Sequence, residues 1–219
     1  AIDGIMENSL VFRFHSSWRP EVVQTATIEA TFDDGDAIEI MRWESEGGDA
    51  EFYHDHEVNE TVNIPINNPA GAKTVKLTIA YLDAGNNWWW AIDNLILAGE
   101  PEPIFAENFD SLELDAFESS SETGGDGTDW TADTPTGWVM TRADDHGPTA
   151  DGDAVKEFDG WTFMDPVSWN ATAGQDRAEF TKGTGVIAVG DSDEYDDLAD
   201  AKFNASLSTP AFSLDGVAA

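Results

Sequence analysis

Apolar and polar residues alternate with a period of two along much of the chain, the repeat of half-buried β-strands. No stretch carries a helical repeat of any length. Ser9 to His15 shows the alternation, and Thr25 to Phe32 shows it more cleanly. The latter runs into Asp33-Asp34-Gly35-Asp36, a hairpin turn signal, and a further strand follows from Ala37 to Trp43. Thr61 to Ile66 and Thr74 to Tyr81 read as strands separated by the turn Asn67-Asn68-Pro69-Ala70-Gly71. Trp88 to Leu97 follows, and Gly99-Glu100-Pro101-Glu102-Pro103 marks a linker, with its centre at 101–103.

Beyond the linker the pattern thins. Ile104 to Phe109 starts a strand, and Glu118 to about Asp159 is loop-rich in Gly, Asp and Thr. Strands resume at Gly185–Val189 and Phe203–Leu207, with a last apolar segment at Ala211–Leu214. Long loops in a compact domain are usually functional or ligand-ordered, and these carry acidic clusters. Residues 1–100 hold five or six strands with no natural beginning, whereas 104–219 open like a domain and stop at a strand edge. Leu214-Asp215-Gly216-Val217 also echoes Ile2-Asp3-Gly4-Ile5. The expectation is two incomplete halves of one β-sandwich.

Charge narrows the partners. Forty-four acidic residues against ten basic ones give a net charge of −34, spread over all 219 residues. Such a surface repels nucleic acid and anionic membranes, and it calls for counterions, from a salty medium, bound divalent cations or both. Calcium is the natural candidate, because hard cations prefer carboxylate and carbonyl oxygens. Without cysteine there is neither a disulfide framework nor a thiolate metal site. No run approaches the roughly 20 apolar residues of a membrane-spanning helix, so membrane insertion is not expected.

Three segments carry a resemblance: Phe105-Ala106-Glu107-Asn108-Phe109-Asp110, Gly160-Trp161-Thr162-Phe163-Met164-Asp165 and Trp89-Trp90-Ala91-Ile92-Asp93-Asn94-Leu95. Together they resemble the jelly-roll module of large secreted proteins of marine and other environmental bacteria, similar to lectin-like and carbohydrate-binding β-sandwiches. In that family the segment like 89–95 closes the module; here it comes first. The resemblance therefore implies a jelly roll whose halves are circularly permuted within one chain, or completed by strand exchange with a neighbouring copy. Exchange would build a head-to-tail filament, since a heterologous contact that does not close propagates. It also implies a secreted, extracellular or cell-surface location, and a structural calcium where the opening strand meets the closing one, which nominates Asp93, Glu107 and Asp110.

The remaining candidates each have a plainer reading. Asp191, Asp193 and Asp196 alternate on one acidic run and could converge on a second ion, although the run lacks the glycine and final glutamate of an EF-hand loop. Asp126-Gly127-Thr128-Asp129 and Asp151-Gly152-Asp153 are weaker versions. Nine tryptophans invite stacking on a polysaccharide, with Trp88, Trp90 and Trp161 as candidates; core packing is the favoured reading for at least two of Trp88, Trp89 and Trp90, and plugging of the loops onto the sandwich for Trp161. Alternation puts Trp88 and Trp90 on one face of a strand and Trp89 on the other. His54-Asp55-His56 offers two imidazoles but no third ligand nearby. Asn59, Asn170 and Asn204 open glycosylation-type triplets. Nucleophile elbows, phosphate-binding loops and dinucleotide fingerprints are absent, and no carboxylate pair stands out for glycoside hydrolysis. The expected function is a non-catalytic structural or adhesive subunit, stabilised by calcium and assembling with copies of itself. A carbohydrate-binding or accessory module of a large secreted hydrolase is the alternative.

Overall fold

The computed structural model describes residues 5–85, 87–99, 103–115, 129–141, 156–195 and 202–215. The first six strands are β1 (Leu10–Arg19), β2 (Thr25–Phe32), β3 (Ala37–Glu44), β4 (Glu57–Ile66), β5 (Thr74–Ala84) and β6 (Trp89–Ala98). Seven shorter ones follow: β7 (Pro103–Glu107), β8 (Trp130–Thr131), β9 (Val139–Thr141), β10 (Thr162–Met164), β11 (Ile187–Asp191), β12 (Phe203–Ser208) and β13 (Phe212–Ser213). They form two antiparallel sheets. One runs β4-β1-β6-β11-β10-β8, with β7 also on β6; the other runs β3-β2-β5-β12-β9, with β13 also on β5. The fold is an all-β sandwich.

Each sheet draws strands from both sides of the linker. The edge of β6 that faces away from β1 takes β11 along Trp89–Ile92 and then β7 along Leu95–Ala98. In the other sheet, β5 takes β12 along Thr78–Ala84 and β13 at Thr74–Val75. Residues 5–98 and 103–215 are thus paired with each other within one chain.

Between the sheets lies one hydrophobic core. The strand alternation delivers Phe12, Phe14 and Trp18 from β1, Ile28 and Ala30 from β2, Leu77, Ile79 and Tyr81 from β5, and Trp90 from β6. Trp90 sits among Phe14, Trp18, Trp43 and Trp161, with ring centroids 5.6–6.4 Å away. Aromatic pairs at such edge and tilted geometries add to the area they bury. The indole N–H groups of Trp89 and Trp90 donate to Ser17 and Ser16, so the polar atoms of the pair stay satisfied inside.

Alternation predicts no helix, yet the structure holds α1 (Pro166–Ala173) and a single turn, α2 (Ser192–Tyr195). The start of α1 is written in the sequence: Asp165 accepts from the amides of Val167 and Ser168, and Pro166 opens the first turn. What was missing is an apolar stripe. The helix buries Trp169 and Thr172. It helps cover the outer face of the first sheet, where Trp169 meets Trp89 at 5.2 Å. No helix among the described residues is long and apolar enough to cross a membrane. Trp90→Ala should destabilise the fold by about 3–5 kcal/mol, the range for emptying a core aromatic site, read as a lower urea midpoint with unchanged slope.

Candidate metal centre at the strand-partner switch

Strand β6 changes partner at Asp93 and Asn94. There its register with β1 slips: Arg13 faces Ile96, but His15 faces Asp93, leaving one extra residue on β6. Asn94 absorbs the bulge with φ of 53°, a conformation that asparagine tolerates better than most residues. The Asp93 side chain is completely buried. Its Oδ1 accepts from the amide of Asn94 at 2.6 Å; its Oδ2 accepts from Asn94 Nδ2 at 2.8 Å and from the amide of Thr184 at 3.0 Å.

Glu107 and Asp110 stand beside it. Asp110 Oδ1 accepts from the amide of Val186 at 2.9 Å, and Oδ2 from Asn108 Nδ2 at 2.7 Å. Glu107 Oε1 accepts from the amide of Phe109 at 2.7 Å. Gly185 lies so close that a Cβ would come within 1.9 Å of Asp110 Oδ1, and its φ of +68° suits only glycine comfortably. Burial pushes the Asp93 carboxyl up to about 7; amide bonds from Thr184 and Asn94 oppose that, while the charges of Asp110 and Glu107 add to it. Among the described residues no basic side chain pairs with any of the three.

The charges of Glu107 and Asp110, the other two acids nominated from the sequence, act on the Asp93 carboxyl from the second segment. Their oxygens suit a hard cation, which takes carboxylate and carbonyl ligands together. Among the described residues, however, no three His, Asp or Glu side chains are arranged to hold a metal ion between them. Most of the carboxylate oxygens here already accept an N–H, so neutralisation of Asp93 by a proton competes with neutralisation by a cation.

The second nominated cluster has a different character. Arg177, wholly buried, donates to Asp191 Oδ2 from Nε at 3.2 Å and from Nη2 at 3.0 Å, and Nη2 donates to Glu194 Oε1 at 2.8 Å. Asp193 stands 3.5 Å from the same nitrogen, and Trp169 Nε1 donates to Asp191 at 2.8 Å. The guanidinium also lies 4.5 Å from the Trp89 ring centroid. Burial and the neighbouring Asp191 push the Asp193 carboxyl up to about 6, against the pull of Arg177. The cation facing Asp191 and Asp193 is thus an arginine of the same chain, which the reading of acidic residues alone missed. Asp196 lies outside the described residues, as do Asp126-Gly127-Thr128 and Asp151-Gly152-Asp153. Asp129 is buried and accepts from Ser168 Oγ at 2.8 Å.

The tryptophan expectation needs correction. Trp90 and Trp161 are buried in the core, so neither can offer a ring to a polysaccharide. Trp88 is half-buried with the Arg19 guanidinium 4.1 Å over its ring. His54 stacks on Trp43 at 3.9 Å and pairs with Glu60 at 3.0 Å, while His56 is exposed. The side-chain oxygens of Asn59, Asn170 and Asn204 each accept a backbone amide, from Lys182, Ala178 and Asp83.

No family model matches the chain, and no curated protein or solved structure is significantly similar to it.

Two outcomes follow from the geometry. Arg177→Ala should cost about 3–5 kcal/mol by leaving buried carboxylates without their cation, measured by denaturant unfolding. Asp93 is raised in the folded state above its unfolded value of about 3.9, so in metal-free protein it favours folding most below pH 4. That contribution is lost as pH rises towards 7, at up to about 1.4 kcal/mol per unit. Direct titration of the Asp93 carboxyl by NMR checks this; a midpoint near 4 would contradict it.

Proposed function

We propose that the chain is a non-catalytic structural or adhesive module of a secreted or cell-surface protein, a permuted jelly roll whose two segments are locked together by calcium. The observation that supports the reading most is the wholly buried Asp93, close to the charges of Glu107 and Asp110 and without a basic partner among the described residues, at the point where β6 passes from β11 to β7. A cation there would tie the first segment, through Asp93, to the second, through Glu107 and Asp110. Calcium would supply the positive charge that the described residues do not bring to this junction.

A head-to-tail filament would re-use the same pairings between copies instead of within one chain. Because β6 and β5 find β7, β11, β12 and β13 in their own chain, the closed unit is the form we favour, with exchange as its assembled state. Polysaccharide binding through Trp90 or Trp161 has no support, since both rings are enclosed.

The test is thermal unfolding with calcium or chelator, run alongside sedimentation. Calcium at a hundred times its Kd should stabilise the fold by about 2.7 kcal/mol and raise the Tm by several degrees. Asp110→Asn should weaken that shift at least tenfold in apparent affinity. A Tm indifferent to calcium and chelator in the unmodified chain would remove the calcium claim; sedimentation as a monomer in both would remove the filament.

A further inference from the structure

The loop that joins β3 to β4 forms a cavity unrelated to the carboxylate junction. Ser45, Glu46, Gly47, Gly48, Ala50 and Tyr53 line about 360 Å³ at the end of the sandwich. Its wall is aromatic: Tyr53 is 50% exposed, the only aromatic side chain among the large, exposed apolar residues of the described chain. Val22 and Val23, 59% and 42% exposed, belong to the neighbouring β1–β2 loop. That loop packs against Gly47, where a Cβ would sit 2.8 Å from the Val22 carbonyl oxygen and 3.8 Å from the Val23 side chain. Gly48 has no room for a side chain either, because Glu44 occupies the space.

Acidic groups predominate around this cavity. The Tyr53 hydroxyl donates to Asp55 at 3.2 Å, and its ionisation is pushed upwards chiefly by that bond, with the charge of Glu46 adding to it. Among the described residues neither Glu46 nor Asp55 has an ion-pair partner. Arg42 is already committed, to Glu44 at 2.7 Å and to Glu39 at 3.3 Å. A cavity with a tyrosine face, apolar valines alongside and unpaired carboxylates repels anions and gives a neutral solute only contact area. An alkylated ammonium ion satisfies all three features, through attraction to the ring, methyl contact and charge.

We propose that this cavity is a binding site for a small organic ammonium ion of the trimethylammonium class. The site is independent of calcium and of any assembly. The probe is choline, titrated into the isotope-labelled protein at fixed ionic strength, with its neutral isostere 3,3-dimethylbutan-1-ol in parallel. Choline should give saturable amide shifts confined to 22–23 and 45–55, with the isostere at least about tenfold weaker. Tyr53→Ala and Glu46→Gln should each weaken choline several-fold, whereas Tyr53→Phe, which keeps the ring, should retain it. Absence of saturable shifts in these loops, equal binding of the isostere, or undiminished binding to Tyr53→Ala would each overturn the proposal. Exposure of Tyr53 makes its replacement harmless to the fold, and the unchanged spectrum elsewhere verifies that.

Discussion

Everything in this molecule depends on how one edge of β6 is completed. A strand buried on both faces must have every backbone donor and acceptor paired, since an unmade bond in the interior costs more than a made one contributes. Strand β6 meets that demand with two different strands from beyond the linker, β11 and then β7, laid end to end. The other sheet repeats the device on β5 with β12 and β13. Neither segment closes its own sheets, and the core that Trp90, Trp18 and Tyr81 share with Trp161 and Phe203 exists only when both are present.

The junction between the two incoming strands is where electrostatics enters. Two strands in series leave a junction on β6, beside the bulge in its pairing with β1, where the amides of Thr184 and Val186 point at Asp93 and Asp110. An acid-rich chain brings the charges of Glu107 and Asp110 to bear on Asp93 there, and among the described residues no arginine or lysine pairs with them. At the Asp191 cluster the same chain makes the opposite choice and buries Arg177 among the acids. Internal neutralisation by arginine in one place, and a site left to a proton or an external cation in the other, is the contrast on which the functional reading rests.

Much of this was legible in the residues. Period-two alternation located the long strands because each has one face on the core and one on solvent or side cover, as at Thr25–Phe32 and Thr74–Ala84. The resemblance nominated Asp93, Glu107 and Asp110 together; the charges of the latter two act on Asp93, but among the described residues the three are not arranged to hold an ion. Strands of two or three residues such as β8, β9 and β10 were beyond reach, because a period cannot be read from so few positions. In the Trp88-Trp89-Trp90 run the favoured core reading holds for Trp89 and Trp90, and the ligand reading of Trp90 does not. Alternation separates Trp89 from Trp90, but α1 and Arg177 cover the outer face, so both rings are enclosed rather than one being offered to a ligand. Arg177 itself was invisible among acids, since nothing local marks which of ten basic residues will be buried.

Native-state hydrogen exchange tests the shared-sheet claim most directly. Amides of β5 and β6, of β11 and of β12 should exchange through one opening whose free energy equals that of global unfolding, because none of these strands is stable without the others. Two separate openings, with residues 5–98 protected while 156–215 exchange freely, would contradict it.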